Sequence, residues 1–217
     1  DVYKRQLDPN GSVYIDGSTQ PCGRTDGPKI IFDTNDRSWE IEGENNLITN
    51  VSLRGGGVIF LKENNNVVEN IWMGLTDDGQ EISFREPGNP QRMAGGGVFI
   101  SSDNNIVRGN VISGAFAKAV DINSGNVNNL IVDNYIGTRS DGTVPPLDQT
   151  IQCQRDFANV LAGNWYGGWG ISLAGTGNKV INNVIAGLHI LQSTNDTPPM
   201  AIELFGDAHI IEGNSIG

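Results

Sequence analysis

Three acidic residues lie in positions where they could do chemistry: the doublet Asp77-Asp78 in GLTDDGQ, and Asp141 in GTRSDGT. Hydrolysis of a glycosidic bond needs a pair of carboxyl groups, one to protonate the leaving oxygen and one to attack or to activate water. Elimination needs instead a Lys, Arg or His base beside an acidic site that can hold Ca²⁺. Asp77, Asp78 and Asp141 with Arg155 form the catalytic set that either reaction would use. Asp78 and Asp141 form the pair that could ligate calcium, the one cofactor the sequence leaves open. Asp-Gly is equally an ordinary tight-turn pair, which would make Asp78-Gly79 and Asp141-Gly142 purely architectural.

A second constellation is aromatic. Trp165, Tyr166 and Trp169 cluster among glycines, with Arg155 and Asp156 upstream. Flat rings beside hydrogen-bonding charged groups suit a sugar, whose faces are apolar and whose edges are hydroxyls. The same rings could simply pin a long loop to the body of the protein. His189 and His209 sit among apolar residues without a partner and take no role. No His/Cys metal cluster is present in the sequence. Cys22 and Cys153 are far apart in the chain, and a disulfide between them would need a loop folded back across several structural units.

What must hold these residues is a repeat. Taking Gly97 as position one of GVFISSDNNIVRGN, apolar residues stand at positions two and four (Val98, Ile100), and Asn110 closes the block. The same frame is laid on GVIFLKENNNVVEN from Gly57 to Asn70, GISLAGTGNKVINN from Gly170 to Asn183, and AIELFGDAHIIEGN from Ala201 to Asn214. A copy with two extra residues runs from Ala119 to Asn134, and a degenerate one ends at Asn50. The bare period is 22 residues, too short for a βαβ unit and suited to one coil of a parallel β-helix.

Alternation predicts that Val58/Phe60, Val98/Ile100, Val120/Ile122, Ile171/Leu173 and Ile202/Leu204 point inward. Position three (Ile59, Phe99, Asp121, Ser172, Glu203) then points outward, with the polar members solvated. Two further short strands follow in each coil, and the closing residues Asn50, Asn70, Asn110, Asn134, Asn183 and Asn214 are predicted corners. Asn tolerates the left-handed backbone, and stacked amides can hydrogen-bond from coil to coil. The fold class is therefore all-β, a right-handed parallel β-helix of about six or seven coils.

Block starts at Gly57, Gly97, Ala119, Gly170 and Ala201 are 40, 22, 51 and 31 residues apart, so three coils carry insertions, at about 74–96, 138–168 and 188–199. All three follow the third strand, which places them on one side of the solenoid, the side that usually binds. Stretches DVYKRQ at 1–6 read as a translated sequencing-adapter scar, leaving 7–217 as a single β-helix domain expected to be incomplete at both ends, with further coils or capping domains elsewhere in the full protein.

Composition limits the function. A net charge of −11 and scarce Lys and Arg argue against nucleic acid, and no apolar run approaches the roughly 20 residues of a spanning helix. The phrases IDGSTQP (15–21), NVISG (110–114) and NYIGTRSDGT (134–143) resemble the large bacterial surface and secreted right-handed β-helix repeat proteins of the pectin-lyase-like group. That resemblance implies an extracellular or cell-surface setting. Polygalacturonase-like members of the group carry Asn-Thr-Asp, Asp-Asp, Gly-His-Gly and Arg-Ile-Lys motifs, of which only the doublet Asp77-Asp78 is matched here. The expected function is a non-catalytic segment that contacts polysaccharide or surface partners through its long-loop face. A polysaccharide lyase or glycoside hydrolase of the same fold, and a purely architectural stalk, are the alternatives.

Overall fold

The computed structural model describes residues 12–21, 26–35, 37–81, 83–86, 89–93, 96–115, 118–144, 169–188 and 200–217. Its strands are two to five residues long, and all but two fall into three parallel sheets that the chain visits in rotation; the exceptions, Phe84–Glu86 and Asn89–Met93, pair antiparallel with each other within the first insertion. Sheet A stacks seven strands, among them Leu47–Thr49, Val67–Glu69, Ile106–Arg108 and Leu130–Val132. Sheet B also has seven, including Trp72–Met73, Val111–Ile112 and Tyr135–Ile136, and sheet C has six, from Trp39–Ile41 to Ile202–Leu204. This is a parallel β-helix solenoid, in which each coil buries its apolar residues only against its neighbours. Among the described residues no helix is long and apolar enough to cross a membrane.

The core is a set of stacked rows. Ile59, Val98, Val120 and Ile171 occupy one register position of sheet C and are almost wholly buried, as are Leu61, Ile100, Ile122 and Leu173 two residues on. Val68, Val107, Ile131 and Val180 form the equivalent row of sheet A. Burying one such side chain contributes about 1.5–3 kcal/mol, so each added coil extends every row at once.

Two kinds of residue build the corners, always adjacent and in the same order. The first takes the left-handed backbone: Asn45, Asn65, Asn104, Asn128 and Gly177 at one corner, and Asn50, Asn70, Gly109, Asp133, Asn182 and Gly213 at the next, with φ between 51° and 68°. The second is an Asn whose backbone N–H donates to the Oδ1 of the Asn one coil later, joined in every case but Asn66 by its Nδ2. One such ladder runs Asn46, Asn66, Asn105, Asn129, Asn178, and another Asn110, Asn134, Asn183, Asn214. The backbone donations span 2.8–3.0 Å. In the last described coil Ala208 (φ 57°) and His209 stand where Gly177 and Asn178 stand one coil earlier.

These corners correct the sequence frame. Asn50 and Asn70 are corner residues, but they hold the left-handed seat of Gly109, and Val51 and Ile71 take the ladder position of Asn110. The copy beginning at Gly57 is therefore displaced by one residue: Val98 pairs with Ile59, and Phe99 with Phe60. Ile59 and Leu61 face the core, whereas Val58 and Phe60, expected inside, do not. The shortest coil step is 20 residues, from Leu47 to Val67, against the 22 expected. The ladder makes a sharp demand. Replacing Asn134 by Ala strips the acceptor from Asn110, whose N–H is buried, and should cost about 3 kcal/mol or more in a denaturant melt. A loss under about 1 kcal/mol would mean the ladder is decorative.

Candidate functional site

The in-out alternation that sends Val120 and Ile122 inward sends the residue between them outward. The outer row of sheet C accordingly reads Glu40, Phe60, Phe99, Asp121, Ser172, Glu203, one residue per coil. Lys118 and Trp169, paired in register, lie three residues before Asp121 and Ser172 in their strands, and the Lys118 ammonium reaches the outer row by bonding both of those residues. All three long insertions enter sheet C from the corner just before these strands.

Phe60 and Phe99 stack as neighbours, ring centroids 5.4 Å apart. Next to them Lys118 Nζ donates to Asp121 Oδ1 at 3.1 Å and to Ser172 Oγ at 3.0 Å, and lies 3.7 Å from Glu203 Oε2. The Ser172 hydroxyl donates to Glu203 Oε2 at 3.0 Å, and the ammonium sits 5.5 Å from the centre of the Trp169 ring. The acids are less solvated than expected: the Asp121 and Glu203 side chains are only 13% and 15% exposed, and Ser172 is buried. Partial withdrawal from water is tolerated because one cation is shared between two carboxylates and a hydroxyl caps the second. One ammonium, two carboxylates, a hydroxyl and three aromatic rings thus share one strip along sheet C. Toward the start of the sheet Lys62 repeats the device, bonded to Glu40 at 2.6 Å and Glu42 at 3.0 Å, which together hold its ammonium pKa above the usual lysine range.

The acids singled out by sequence occupy a different face. Trp72 and Tyr135 start matching strands on the outside of sheet B, and seven residues after each comes the glycine of an Asp-Gly turn that rests on its ring. A Cβ on Gly79 would lie 2.6 Å from the Trp72 ring, and one on Gly142 would lie 2.9 Å from that of Tyr135. Both glycines have positive φ and close a turn by donating to the carbonyl three residues back, Thr76 and Arg139 respectively. The turns touch directly, Ser140 N–H donating to Gly79 O at 3.0 Å and Arg139 Nε to Gln80 O at 2.7 Å. The opening turns of the first two insertions do meet, then, through one backbone bond and one from the Arg139 side chain to a backbone carbonyl.

Asp77 pairs with Arg54 at 2.9 Å, Asp78 Oδ1 accepts from Thr76 Oγ1 and Gln80 N–H, and Asp141 Oδ1 accepts from Thr143 Oγ1 at 2.6 Å and Thr143 N–H at 2.9 Å. The described bonds of Asp78 and Asp141 shape their own turns. No group of three or more His, Cys, Asp or Glu that could hold a metal ion occurs among the described residues. Arg155, Asp156, Trp165 and Tyr166, and both Cys22 and Cys153, lie outside the described residues. Of the aromatic set only Trp169 is described, and it belongs to the sheet C strip. Sequence reading missed Lys118, Asp121 and Glu203 as a group. The available signal was the recurrence of polar residues at position three in three successive coils.

Comparison with known proteins returned no matching family model, no matching curated protein and no matching solved structure. The turn chemistry is testable directly. Thr143 donates twice to Asp141 and holds its carboxyl below the usual aspartate range, its hydroxyl contributing most. A lowered folded pKa means that whatever this contact adds to stability is present at neutral pH and fades as pH falls through the folded value. In Thr143→Val the Asp141 titration followed by NMR should move up toward the ordinary range. An unmoved midpoint would remove the hydroxyl from the explanation.

Proposed function

We propose that this β-helix is a binding segment of an extracellular or cell-surface protein, and that the outer face of sheet C contacts polysaccharide. The observation that carries this reading is the strip itself: in the outer row of sheet C the Phe60–Phe99 pair adjoins the Lys118, Asp121, Ser172, Glu203 and Trp169 cluster. Aromatic rings can cover the apolar faces of sugar rings, while the charged groups beside them can bond the hydroxyls at the edges. Successive strands are about 4.8 Å apart, so a row six strands long is a track of roughly 24 Å, suited to an extended chain more than to a compact ligand.

A second reading is supported by one feature. Asp121 and Glu203 both lie within 4 Å of a single ammonium nitrogen, so two carboxyl groups face the same patch of surface, as a glycoside hydrolase requires. A catalytic role would rest on this pair, not on Asp77, Asp78 and Asp141.

Two measurements separate the readings. On a glycan array the binding reading expects a signal that drops about tenfold or more in Trp169→Ala with the thermal melt unchanged, and an unaffected signal would count against the strip. For catalysis, incubation with acidic and neutral polysaccharides, with and without Ca²⁺, should release reducing ends or unsaturated products that vanish in Asp121→Asn. A product-free screen alongside intact binding leaves the segment non-catalytic.

A further inference from the structure

Resting on the polysaccharide reading, we infer that the sheet C track selects glycans bearing protonated amines and rejects uronate-rich or other polyanionic chains. The charge arrangement carries this. Lys118 is held by Asp121 and Glu203, and Lys62 by Glu40 and Glu42, so each described cation of the track is matched by two carboxylates and each cluster keeps one negative charge. A ligand carboxylate would have to displace an acid from its ammonium or bind beside both acids, and in either case it meets their negative charge. The partly buried setting of Asp121 and Glu203 makes that exchange costly, because screening by water is weaker there.

The surroundings carry the same sign. In sequence, the insertion at 74–96 has four acids against two bases, that at 138–168 three against two, and that at 188–199 one against none, within a chain of net charge −11. A polyanion approaching this edge meets repulsion at every scale, whereas a protonated amino sugar finds two carboxylate pairs with one charge each to spare and aromatic surface in Phe60, Phe99 and Trp169 over which a cation is attracted.

The experiment compares a chito-oligosaccharide carrying free amines, a neutral β-glucan and polygalacturonate by calorimetry below the amine pKa and at low ionic strength. The amine-bearing chain should bind at least tenfold tighter than polygalacturonate, with the neutral chain between them, and raising the salt should narrow the gap. In Asp121→Asn/Glu203→Gln the amine-bearing chain should fall to the level of the neutral one. If that variant fails to fold, the salt dependence of the unaltered protein decides, since a gap indifferent to salt is not electrostatic and overturns the inference. Polygalacturonate binding as tight as the amine-bearing chain would overturn it while leaving the polysaccharide reading standing. Binding to none of the three would overturn both.

Discussion

A buried amide must find a partner, and the two asparagine ladders are how this solenoid meets that demand at its corners. Each coil has to bend sharply between short strands, and every bend strands a backbone N–H in the interior. The Oδ1 of the Asn one coil away satisfies it, while the residue just before absorbs the left-handed turn. Because a ladder Asn can serve only the coil aligned with it, the same bonds lock the register of all three sheets. The apolar rows of the core and the outer row of sheet C inherit that register. A slip of one residue would exchange Ile59 for Phe60 and turn the strip inside out.

The position of the insertions follows from the same constraint. The corner from sheet C to sheet A, which carries the first ladder, gains only two residues, in the coil from Ala119 to Asn134. Among the described residues the corner from sheet B to sheet C carries no ladder, and it takes all three long insertions. The first two begin by laying an Asp-Gly turn over an aromatic ring on the outside of sheet B, which anchors them before they reach sheet C. Asp78 and Asp141 shape those turns, while Asp77 pairs with Arg54. The groups proposed to meet a ligand lie on the sheet itself, where strand stacking supplies rigidity that a loop lacks.

Alternating apolar positions and recurrent asparagines made the coil, its three strands and the corner that accepts insertions legible in the sequence. The one-residue displacement at Gly57 arose because an Asn in the left-handed seat and an Asn in the ladder are the same letter. Asn70 looks like Asn110 until hydrogen bonds distinguish them, and the Asn pair at 104 and 105 contains one of each. The Lys118 cluster was less legible still. It joins residues as far apart as Lys118 and Glu203, from three coils, and their distance in space depends on how many residues each intervening insertion diverts. The Asp-Gly turns were readable as turns, but not the rings of Trp72 and Tyr135 beneath their glycines.

The ladders also have a direction. In each of them the earlier Asn gives its hydrogens and the later Asn supplies the oxygen, without exception along both series. A polypeptide leaving the ribosome N-terminus first cannot seal a rung when that rung is made, because the oxygen it needs has not yet been synthesised. Winding must trail translation by one full coil, and the growing tip keeps its corner amides wet until the next rung arrives to dry them.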